Sequence, residues 1–236
     1  MQAPKALSLD LDDTLWPIWP AIERAEQALH DFLCERCPAT AAMYPVPAMR
    51  ELRDRIAVEY PEHAFDFTRQ RKLSLEHALR SAGDDAAHAE DAFVAFYAAR
   101  NRIEFYPDAL AALDRLAARW PLAALTNGNA DLASIGIADR FAAHVAAREA
   151  GHAKPDAPIF HATCARLGVL PHEVLHIGDD PLLDVAGAAR VGMRTCWINR
   201  RDEAWPDDLP PPDLHFRTLS ELADWLDHHH PRKESA

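Results

Sequence analysis

Two aspartates lie two residues apart near the start of the chain, in the segment Asp10-Leu11-Asp12-Asp13-Thr14. The apolar run that precedes them predicts a short buried strand. Carboxylates at the end of such a strand are costly to bury unless they have a partner, and Mg²⁺ together with a phosphorylated substrate would be a suitable one. The segment therefore indicates phosphoryl-transfer chemistry, although in isolation it is more typical of a solvated turn that caps a helix.

A threonine and a lysine further along the chain could bind a phosphoryl group. Thr126-Asn127-Gly128-Asn129 follows the apolar run 122–125, and its hydroxyl and backbone N–H groups could hold phosphoryl oxygens. Lys154 precedes a predicted helix, where its ammonium could neutralise both a nucleophile and the phosphoryl group. Taken separately, Asn-Gly is a common turn pair, and a lone lysine is more often a solvated surface charge.

A second set of carboxylates follows another apolar run. Gly178-Asp179-Asp180 comes directly after residues 174–177, and Asp184 lies five residues beyond Asp179. Ligands of open α/β sheets bind at the carboxyl ends of the strands, so we expect Asp179 to project there and Asp184 to approach from the next helix. For Asp180 the structural alternative is a helix N-cap, and both roles can hold. The fixed order of all these segments favours a phosphoryl-transfer site.

The rest of the chain alternates apolar runs with helical patterns, which predicts an α/β fold with a mostly parallel sheet and right-handed crossovers. The predicted strands are residues 6–11, 121–126, 144–147, 174–177, 194–198 and 214–216. The predicted helices that pack against them are residues 108–120, 158–167, 181–191 and 219–226.

A long segment between the first two predicted strands contains no convincing strand and is too long for a loop inside a compact domain. Apolar residues at helical spacing predict four helices there, in the stretches 22–33, 47–58, 73–79 and 92–97. Val58 is expected on the apolar face of the second helix. A helical insertion directly after an active-site strand is a natural lid, and a purely structural insertion is the alternative.

These patterns divide the chain into a core domain of residues 1–15 and 105–228, a helical cap of residues 16–104 and a disordered tail of residues 229–236. The tail begins with a polar histidine run, and we expect it to fray.

The composition limits the possible partners. The 236 residues carry a formal net charge of −12, which argues against a nucleic-acid partner. An anionic substrate then needs a local positive charge, which a metal ion and Lys154 would supply. No window is apolar enough to span a membrane, and the first predicted strand leaves no room for a signal peptide. We therefore expect a cytoplasmic protein, a monomer or weak homodimer, that binds a small phosphorylated metabolite.

The ordered set of aspartate pair, threonine, lysine and Gly-Asp segment resembles the haloacid dehalogenase (HAD) superfamily, with a C1-type helical cap inserted after the first motif. The resemblance covers nearly the whole chain. It implies a Rossmann-like three-layer α/β/α core with a parallel sheet and an inserted four-helix cap.

The resemblance also implies roles for the first two aspartates. Asp10 would be the nucleophile that forms an aspartyl-phosphate. Asp12 would be the general acid that protonates the leaving oxygen and then the base that activates water. The dehalogenases of the superfamily lack an acid at the position of Asp12 and need no magnesium, so this residue favours a phosphatase.

The remaining motif residues would bind the metal and the phosphoryl group. Mg²⁺ would be held by Asp10, the backbone carbonyl of Asp12, and Asp179. Asp184 would support that shell or reach the metal through water. The resemblance further implies that phosphoryl oxygens would be bound by Thr126 and the N–H of Asn127, and that Lys154 would orient Asp10.

Longer stretches, among them 67–76, 120–129 and 192–198, are similar to one branch of the superfamily. Its bacterial members are phosphatases that act on flavin mononucleotide (FMN) and on 5-amino-6-(5-phospho-D-ribitylamino)uracil, an intermediate of riboflavin biosynthesis. The resemblance implies a Mg²⁺-dependent phosphomonoesterase with such a substrate.

Side chains near the start of the third predicted cap helix are candidate substrate contacts. Arg69 and Arg71 could reach a substrate, but an arginine on an amphipathic helix is usually solvated. Phe65 and Phe67 could face a flat heterocycle, and we expect them more in the interior of the cap.

Two other functions stay open at this point. A phosphomutase of the same superfamily would have Asp10 phosphorylated by a sugar bisphosphate. A non-catalytic regulatory module would bind Mg²⁺ and accept phosphate without turnover, as receiver domains do. The presence of Asp12 argues against the module, which has no need of a general acid.

Overall fold

The structure, a computed structural model, describes residues 3–231. Six strands form one sheet in the order β3-β2-β1-β4-β5-β6, and each neighbouring pair is parallel. The strands are β1 (Ala6–Leu9), β2 (Leu122–Thr126), β3 (Ala143–Ala146), β4 (Val174–Gly178), β5 (Arg194–Ile198) and β6 (Leu214–Phe216). The prediction of an α/β fold with a parallel sheet and a helical insertion is confirmed.

The central strands β1, β2 and β4 are buried at every residue, as expected for apolar runs covered on both faces of a parallel sheet. Strand β1 lies between β2 and β4, so the order of strands along the chain reverses beside it. Such a reversal leaves a crevice at the carboxyl ends of the strands, which is where ligands bind in these folds. Asp10 directly follows β1 and Asp179 directly follows β4.

The described residues divide into two compact units. Within the described residues, the core unit comprises residues 3–17, 105–128 and 136–231, and it contains the sheet. The helical unit comprises Ile18–Glu104 and Asn129–Ile135.

The helical unit consists mainly of five α-helices that precede the second strand. These are α1 (Ile18–Arg36), α2 (Pro38–Met43), α3 (Val46–Glu59), α4 (Phe67–Ala82) and α5 (Ala89–Arg100). Their apolar faces share one interior, with Leu29, Leu52 and Leu75 among its buried side chains. Helix α4 shows how local sequence sets the ends: the Asp66 carboxylate accepts the Arg69 N–H at 2.9 Å, and Gly83 ends the helix with φ +83°.

The segment Asn129–Ile135, which includes helix α7 (Leu132–Ile135), belongs to the helical unit through hydrogen bonds. Asn129 donates from Nδ2 to the Thr68 hydroxyl at 3.1 Å and accepts from Arg100 Nε at 3.2 Å. The side-chain oxygen of Asn101 accepts the Asp131 N–H at 2.9 Å.

Helices of the core unit follow the strands in the predicted alternation. They are α6 (Ala109–Ala117), α8 (Ala147–Ala150), α9 (Ala157–Leu167), α10 (Gly187–Arg190) and α11 (Leu219–His229). A π-helical segment, Pro181–Ala186, precedes α10, so the single helix predicted over 181–191 is in fact two different helical segments. None of the helices in the described part of the chain is long and apolar enough to cross a membrane.

Several local predictions were wrong. Strand β1 ends at Leu9 instead of residue 11, because the chain turns towards the loop of residues 12–16. Helix α2 was not predicted. It begins at Pro38, and proline is favoured at the first position of a helix. Val58 is 82% exposed, since the buried stripe of α3 is Met49, Leu52 and Ile56.

The side chains proposed as substrate contacts also differ from expectation. Phe67, expected in the interior, is about half exposed at the first position of α4. Arg71, expected to be solvated, is buried with its guanidinium 4.2 Å from the centre of the Phe96 ring. The predicted disordered tail began at residue 229, but α11 continues to His229, and residues 232–236 lie outside the described part of the chain.

Candidate active site

The backbone of Asp10 fixes its carboxylate at the carboxyl end of β1. The Asp10 N–H donates to the carbonyl oxygen of Ile177 in β4 at 2.8 Å, which extends the pairing of the two strands by one residue. The residue is only 6% exposed. A carboxylate in this position is costly without a positive partner.

Lys154 supplies that partner from the loop before α9. Its Nζ lies 2.5 Å from Asp10 Oδ1 and 2.6 Å from Asp184 Oδ1, so one ammonium links two carboxylates. Burial alone would lower the pKa of Lys154, but Asp10 and Asp184 hold it above its ordinary range. The structure therefore brings the predicted lysine and two of the predicted carboxylates into one buried cluster.

Asp184 is anchored on both of its carboxylate oxygens. Oδ1 accepts from Lys154 and lies 3.1 Å from His176 Nε2, while Oδ2 accepts the Asp180 N–H at 3.1 Å. Burial would raise the pKa of Asp184, but Lys154 and His176 hold it well below its usual range. This set of donors favours a supporting role for Asp184 over direct coordination of a metal.

Glycine is required at position 178 because the Asp184 side chain packs directly against this residue. A Cβ atom added to Gly178 would lie 2.2 Å from Asp184 Cγ, which no real side chain tolerates. Asp180 accepts the N–H groups of Leu182 and Leu183 at 2.8 and 2.7 Å. The predicted N-cap role of Asp180 is therefore confirmed.

Sequence reasoning missed the role of His176. This histidine lies in β4 beside Ser8 of β1, and its two ring nitrogens lie 3.1 Å from the Ser8 hydroxyl and 3.1 Å from Asp184 Oδ1. Burial lowers its pKa, which favours a neutral ring that donates from Nε2 to Asp184 and accepts from Ser8. No local signal could have revealed this contact, because Ser8 and His176 are 168 residues apart in the chain.

Asp179 lies on the other side of Asp10. The Thr14 hydroxyl is 3.3 Å from Asp10 Oδ2 and 3.1 Å from Asp179 Oδ1, so it connects the two carboxylates. Ligand oxygens of Asp10, Asp179 and Asp184 all lie within 4.8 Å of one another. The backbone carbonyl of Asp179 accepts from Trp197 Nε1 at 2.7 Å, which fixes the main chain at this point.

The charge balance of this cluster fits a bound cation. Burial raises the pKa of Asp10 to about 7, and burial together with the Asp10 carboxylate raises the pKa of Asp179 to about 8. Three carboxylates meet here, and the Lys154 ammonium contacts only two of them, Asp10 and Asp184. A second positive charge among these oxygens would relieve the repulsion, and an all-oxygen donor set suits Mg²⁺.

Thr126 and Asn127 lie at the carboxyl end of β2. The buried Thr126 hydroxyl accepts the Gly128 N–H at 2.9 Å. Asn127 binds the backbone of Lys154 twice, because Oδ1 accepts the Lys154 N–H at 2.7 Å and Nδ2 donates to its carbonyl at 2.9 Å. Besides the predicted backbone N–H, Asn127 therefore offers a side chain that positions the lysine loop.

The Asp12 side chain is held in a different way from those of Asp10 and Asp179. Its Oδ1 accepts a hydrogen bond of 2.8 Å from the indole nitrogen of Trp16, and the residue is only partly buried. The two carboxylates of the Asp10-Leu11-Asp12 segment therefore have different environments, which allows them different roles.

The chain matches known proteins along nearly its whole length. The family model of haloacid dehalogenase-like hydrolases matches residues 4–192. The 5-amino-6-(5-phospho-D-ribitylamino)uracil phosphatase YigB of Escherichia coli is 35% identical over 225 residues, covering 92% of this chain and 94% of that protein. The glyceraldehyde 3-phosphate phosphatase of Methanopyrus kandleri is 30% identical, covering 93% and 96%.

A solved structure from Pseudomonas syringae pv. Tomato, described as a 2-haloacid dehalogenase, is 36% identical with a TM-score of 0.89, covering 96% of this chain and 99% of that one. The relatives thus include proteins named for phosphatase and for dehalogenase activity. The prediction of an enzyme, a HAD-like phosphatase, is confirmed. The family match, the similarity to these relatives and the shared fold together establish that the chain belongs to the haloacid dehalogenase-like hydrolase family.

Proposed function

We propose that the protein is a Mg²⁺-dependent phosphomonoesterase that works through an aspartyl-phosphate on Asp10. The observation that carries the proposal is the contrast between two neighbouring carboxylates. Asp10 is buried against Lys154, within reach of two more carboxylates, whereas Asp12 is bound separately by Trp16. A nucleophile needs to be ionised and a general acid needs to hold a proton, and such different environments can provide both.

In the first half of the reaction, a carboxylate oxygen of Asp10 attacks the phosphorus of the substrate. The bond between phosphorus and the ester oxygen breaks, and Asp12 gives its proton to that oxygen, so an alcohol leaves. Lys154 holds Asp10 in place and offsets negative charge as the phosphoryl group arrives. The Thr126 hydroxyl and the Asn127 N–H would bind the phosphoryl oxygens.

In the second half, Asp12 is a carboxylate and takes a proton from a water molecule. The water oxygen attacks phosphorus, and the bond between phosphorus and Asp10 breaks. Inorganic phosphate leaves, Asp10 is again a carboxylate and Asp12 again carries a proton, so the cycle is balanced. Phosphate-monoester hydrolysis is very slow without a catalyst, which explains why several charged groups are combined in one site.

The residues that would hold Mg²⁺ are Asp10, the backbone carbonyl of Asp12, and Asp179. When bound, the metal supplies positive charge that stabilises the phosphoryl oxygens and keeps Asp10 ionised. Asp184 would support this arrangement through Lys154, because its own oxygens are engaged by Lys154, His176 and the Asp180 N–H.

The substrate class that we propose is a small phosphorylated metabolite, in particular a ribityl phosphate such as 5-amino-6-(5-phospho-D-ribitylamino)uracil or FMN. The support is the 35% identity to YigB over 92% of the chain. A place in riboflavin biosynthesis would follow from the first of these substrates. A cytoplasmic location and a monomeric or weakly dimeric state stay predictions.

Dehalogenation is the second candidate, because the solved structure at 36% identity is described as a dehalogenase. Such a reaction would attack carbon and release halide, and it would have no use for a proton donor to an ester oxygen. The Asp12 carboxyl and the excess of buried carboxylates around Asp10 favour the phosphatase.

The test is the initial rate of phosphate release with Mg²⁺ across ribityl phosphates, phosphoglycolate, nucleoside monophosphates and sugar phosphates, with 2-chloropropionate assayed for halide release. We expect phosphate release that chelation abolishes, and a fall of about 10³-fold or more in Asp10→Asn. Asp13→Asn is the matched control, because Asn tolerates the left-handed backbone of Asp13, φ +61°. We expect it to keep most of the activity.

Each other result points to a different function. Halide release without phosphate release would establish the dehalogenase. Phosphoryl transfer between sugar phosphates without free phosphate would indicate the mutase. A stable phosphorylated Asp10 with no turnover would indicate the regulatory module.

A further inference from the structure

A tight loop brings the Trp16 indole onto the Asp12 carboxyl group. Residues 12 and 16 pair as an isolated bridge, and the Asp13 N–H donates to the Trp16 carbonyl at 2.7 Å. Asp13 makes the turn with a φ of +61°, a conformation that aspartate adopts more readily than most residues. The result is a hydrogen bond of 2.8 Å from Trp16 Nε1 to Asp12 Oδ1.

The donor in this hydrogen bond is rigidly held. Trp16 is fully buried, and its ring meets the Phe105 ring edge-on at 5.6 Å between centres. Backbone contacts fix the loop on both sides of the turn: the Leu15 carbonyl accepts the Tyr106 N–H at 3.0 Å, and the Thr14 carbonyl accepts from Arg200 Nε at 2.9 Å. A carboxyl group bonded to such a donor loses rotational freedom.

Other tryptophans of the chain use their indole N–H differently. Trp120 donates to the Pro4 carbonyl at 3.0 Å, and Trp205 donates to the Leu209 carbonyl at 3.0 Å. Those contacts join backbone segments. The Trp16 indole instead binds the carboxyl group that our mechanism uses for proton transfer.

We propose that Trp16 is a positioning residue that orients the Asp12 carboxyl for proton transfer to the leaving oxygen, an inference that rests on the proposed function. The indole N–H can only donate, so Asp12 Oδ1 acts as an acceptor whether Asp12 is protonated or ionised. The hydrogen bond to Oδ1 fixes the plane of the carboxyl group and so the direction in which its second oxygen, Oδ2, is presented. We assign the transferred proton to Oδ2, because Oδ1 serves as the acceptor of the indole N–H.

This role predicts a dependence on the leaving group. An alkyl ester needs a proton on its departing oxygen, whereas p-nitrophenol leaves as a stable anion. The ratio kcat/KM reports only steps up to the first phosphoryl transfer, in which the leaving group departs. Loss of the indole N–H should therefore lower kcat/KM for an alkyl phosphate much more than for p-nitrophenyl phosphate.

The experiment compares Trp16→Phe with Trp120→Phe on p-nitrophenyl phosphate and on the alkyl phosphate that the wild type hydrolyses fastest. General acid–base catalysis is worth about 10²- to 10⁴-fold, and we expect Trp16→Phe to lose about tenfold or more of kcat/KM on the alkyl ester. On p-nitrophenyl phosphate we expect kcat/KM of Trp16→Phe to fall by less than about threefold. Trp120 is also buried and also donates to one oxygen, so Trp120→Phe controls for loss of an indole and should leave the ratio of the two substrates unchanged.

If Trp16→Phe fails to fold, a benzothiophene analogue of tryptophan at position 16 keeps the ring shape and removes only the N–H. An equal fall on both esters, or no fall on either, would overturn the inference and leave Trp16 as a packing residue. Different results would count against the proposed function itself: a wild type that releases no phosphate, or an Asp10→Asn variant that keeps its activity.

Discussion

The carboxylate cluster of the core unit and a surface ion pair of the helical unit hold their charges in different environments. In the core unit, three carboxylates cluster around one buried ammonium that pairs with two of them, and burial raises the pKa values of Asp10 and Asp179. In the helical unit, Lys72 pairs with Glu90 at 2.7 Å, and the Glu90 side chain is 64% exposed. Removing one member of a buried charge cluster leaves the others without a counter-charge and is strongly destabilising. Exposed ion pairs contribute little to stability.

The helical unit also contains buried charged side chains, among them Glu26, Arg71 and Arg100. The buried guanidinium of Arg71 lies over the Phe96 ring, and burial, together with nearby Arg53, lowers its pKa to about 10. The Arg71 cation is stabilised by the ring face and by its attraction to the carboxylates of Glu26 and Asp54. Burial alone therefore does not identify a reactive group, and the surplus of like charges in the core unit is the more informative feature.

The largest expected difference between the units concerns their lysines. Lys154→Met leaves two buried carboxylates without a counter-charge, so we expect it to destabilise the metal-free protein by about 3–5 kcal/mol in urea unfolding. Phosphatase activity should fall about 10²- to 10³-fold, as for loss of one electrostatic donor.

Lys72→Met is the matched control in the helical unit. Its partner Glu90 is 64% exposed, so we expect a change of about 0–1 kcal/mol and unaltered activity. Similar costs for the two substitutions would remove the distinction between the units.

A smaller effect concerns pH. In the metal-free protein, the pKa values of Asp10 and Asp179, about 7 and about 8, exceed those of unfolded aspartates, so the folded state binds more protons from about pH 4 to about pH 9. Stability then falls as pH rises, by about 2–3 kcal/mol between about pH 6.5 and 9. Urea unfolding in the presence of a chelator measures the slope.

The same pH series can be measured with Mg²⁺ and with the Asp179→Asn variant. Mg²⁺ should reduce the slope, because binding favours the ionised carboxylates, and the binding should release protons into a weakly buffered solution. Asp179→Asn should remove the larger part of the slope. A stability that is flat or rises over this pH range would contradict the account of the carboxylate cluster.

The smallest expected effect is the difference in stability between alanine substitutions at two glycines. Gly178→Ala places a Cβ 2.2 Å from Asp184 Cγ, and we expect a loss of about 1–3 kcal/mol from overpacking, together with weaker Mg²⁺ binding. Gly83→Ala in the helical unit meets no atom within 4 Å, and only its positive φ costs about 1–2 kcal/mol. Unfolding midpoints and Mg²⁺ titrations of both variants separate strain at the site from strain in the backbone.

Strand positions in the core unit could be predicted closely from the sequence. The predicted strands 194–198 and 214–216 agree with β5 and β6 at both ends. Apolar runs that are buried on both faces give a clear signal, and glycine or aspartate at their ends limits their length. The end of β1 was less predictable, because Leu11 is apolar and buried but lies outside the strand.

The helical unit was harder to predict, since its helices bury faces that depend on tertiary packing. Val58 shows the difficulty: it is apolar and was expected on the buried face, but it lies two residues after Ile56, which turns it away from that face, and it is exposed. In the candidate site, the motif residues could be named from the chain alone. The contacts of Ser8 with His176 and of Trp16 with Asp12 could not, because they depend on strand pairing and on a turn that spacing does not reveal.

The mechanism that we propose requires Asp10 to carry the phosphoryl group during turnover. A rapid acid quench of the wild type with Mg²⁺ and its best substrate, followed by peptide mass spectrometry, measures this directly. We expect a phosphorylated Asp10 that forms and decays fast enough to account for turnover and is absent in Asp10→Asn. A phosphoryl group on another residue, or rapid phosphate release with no phosphorylated residue at any time, would contradict the account.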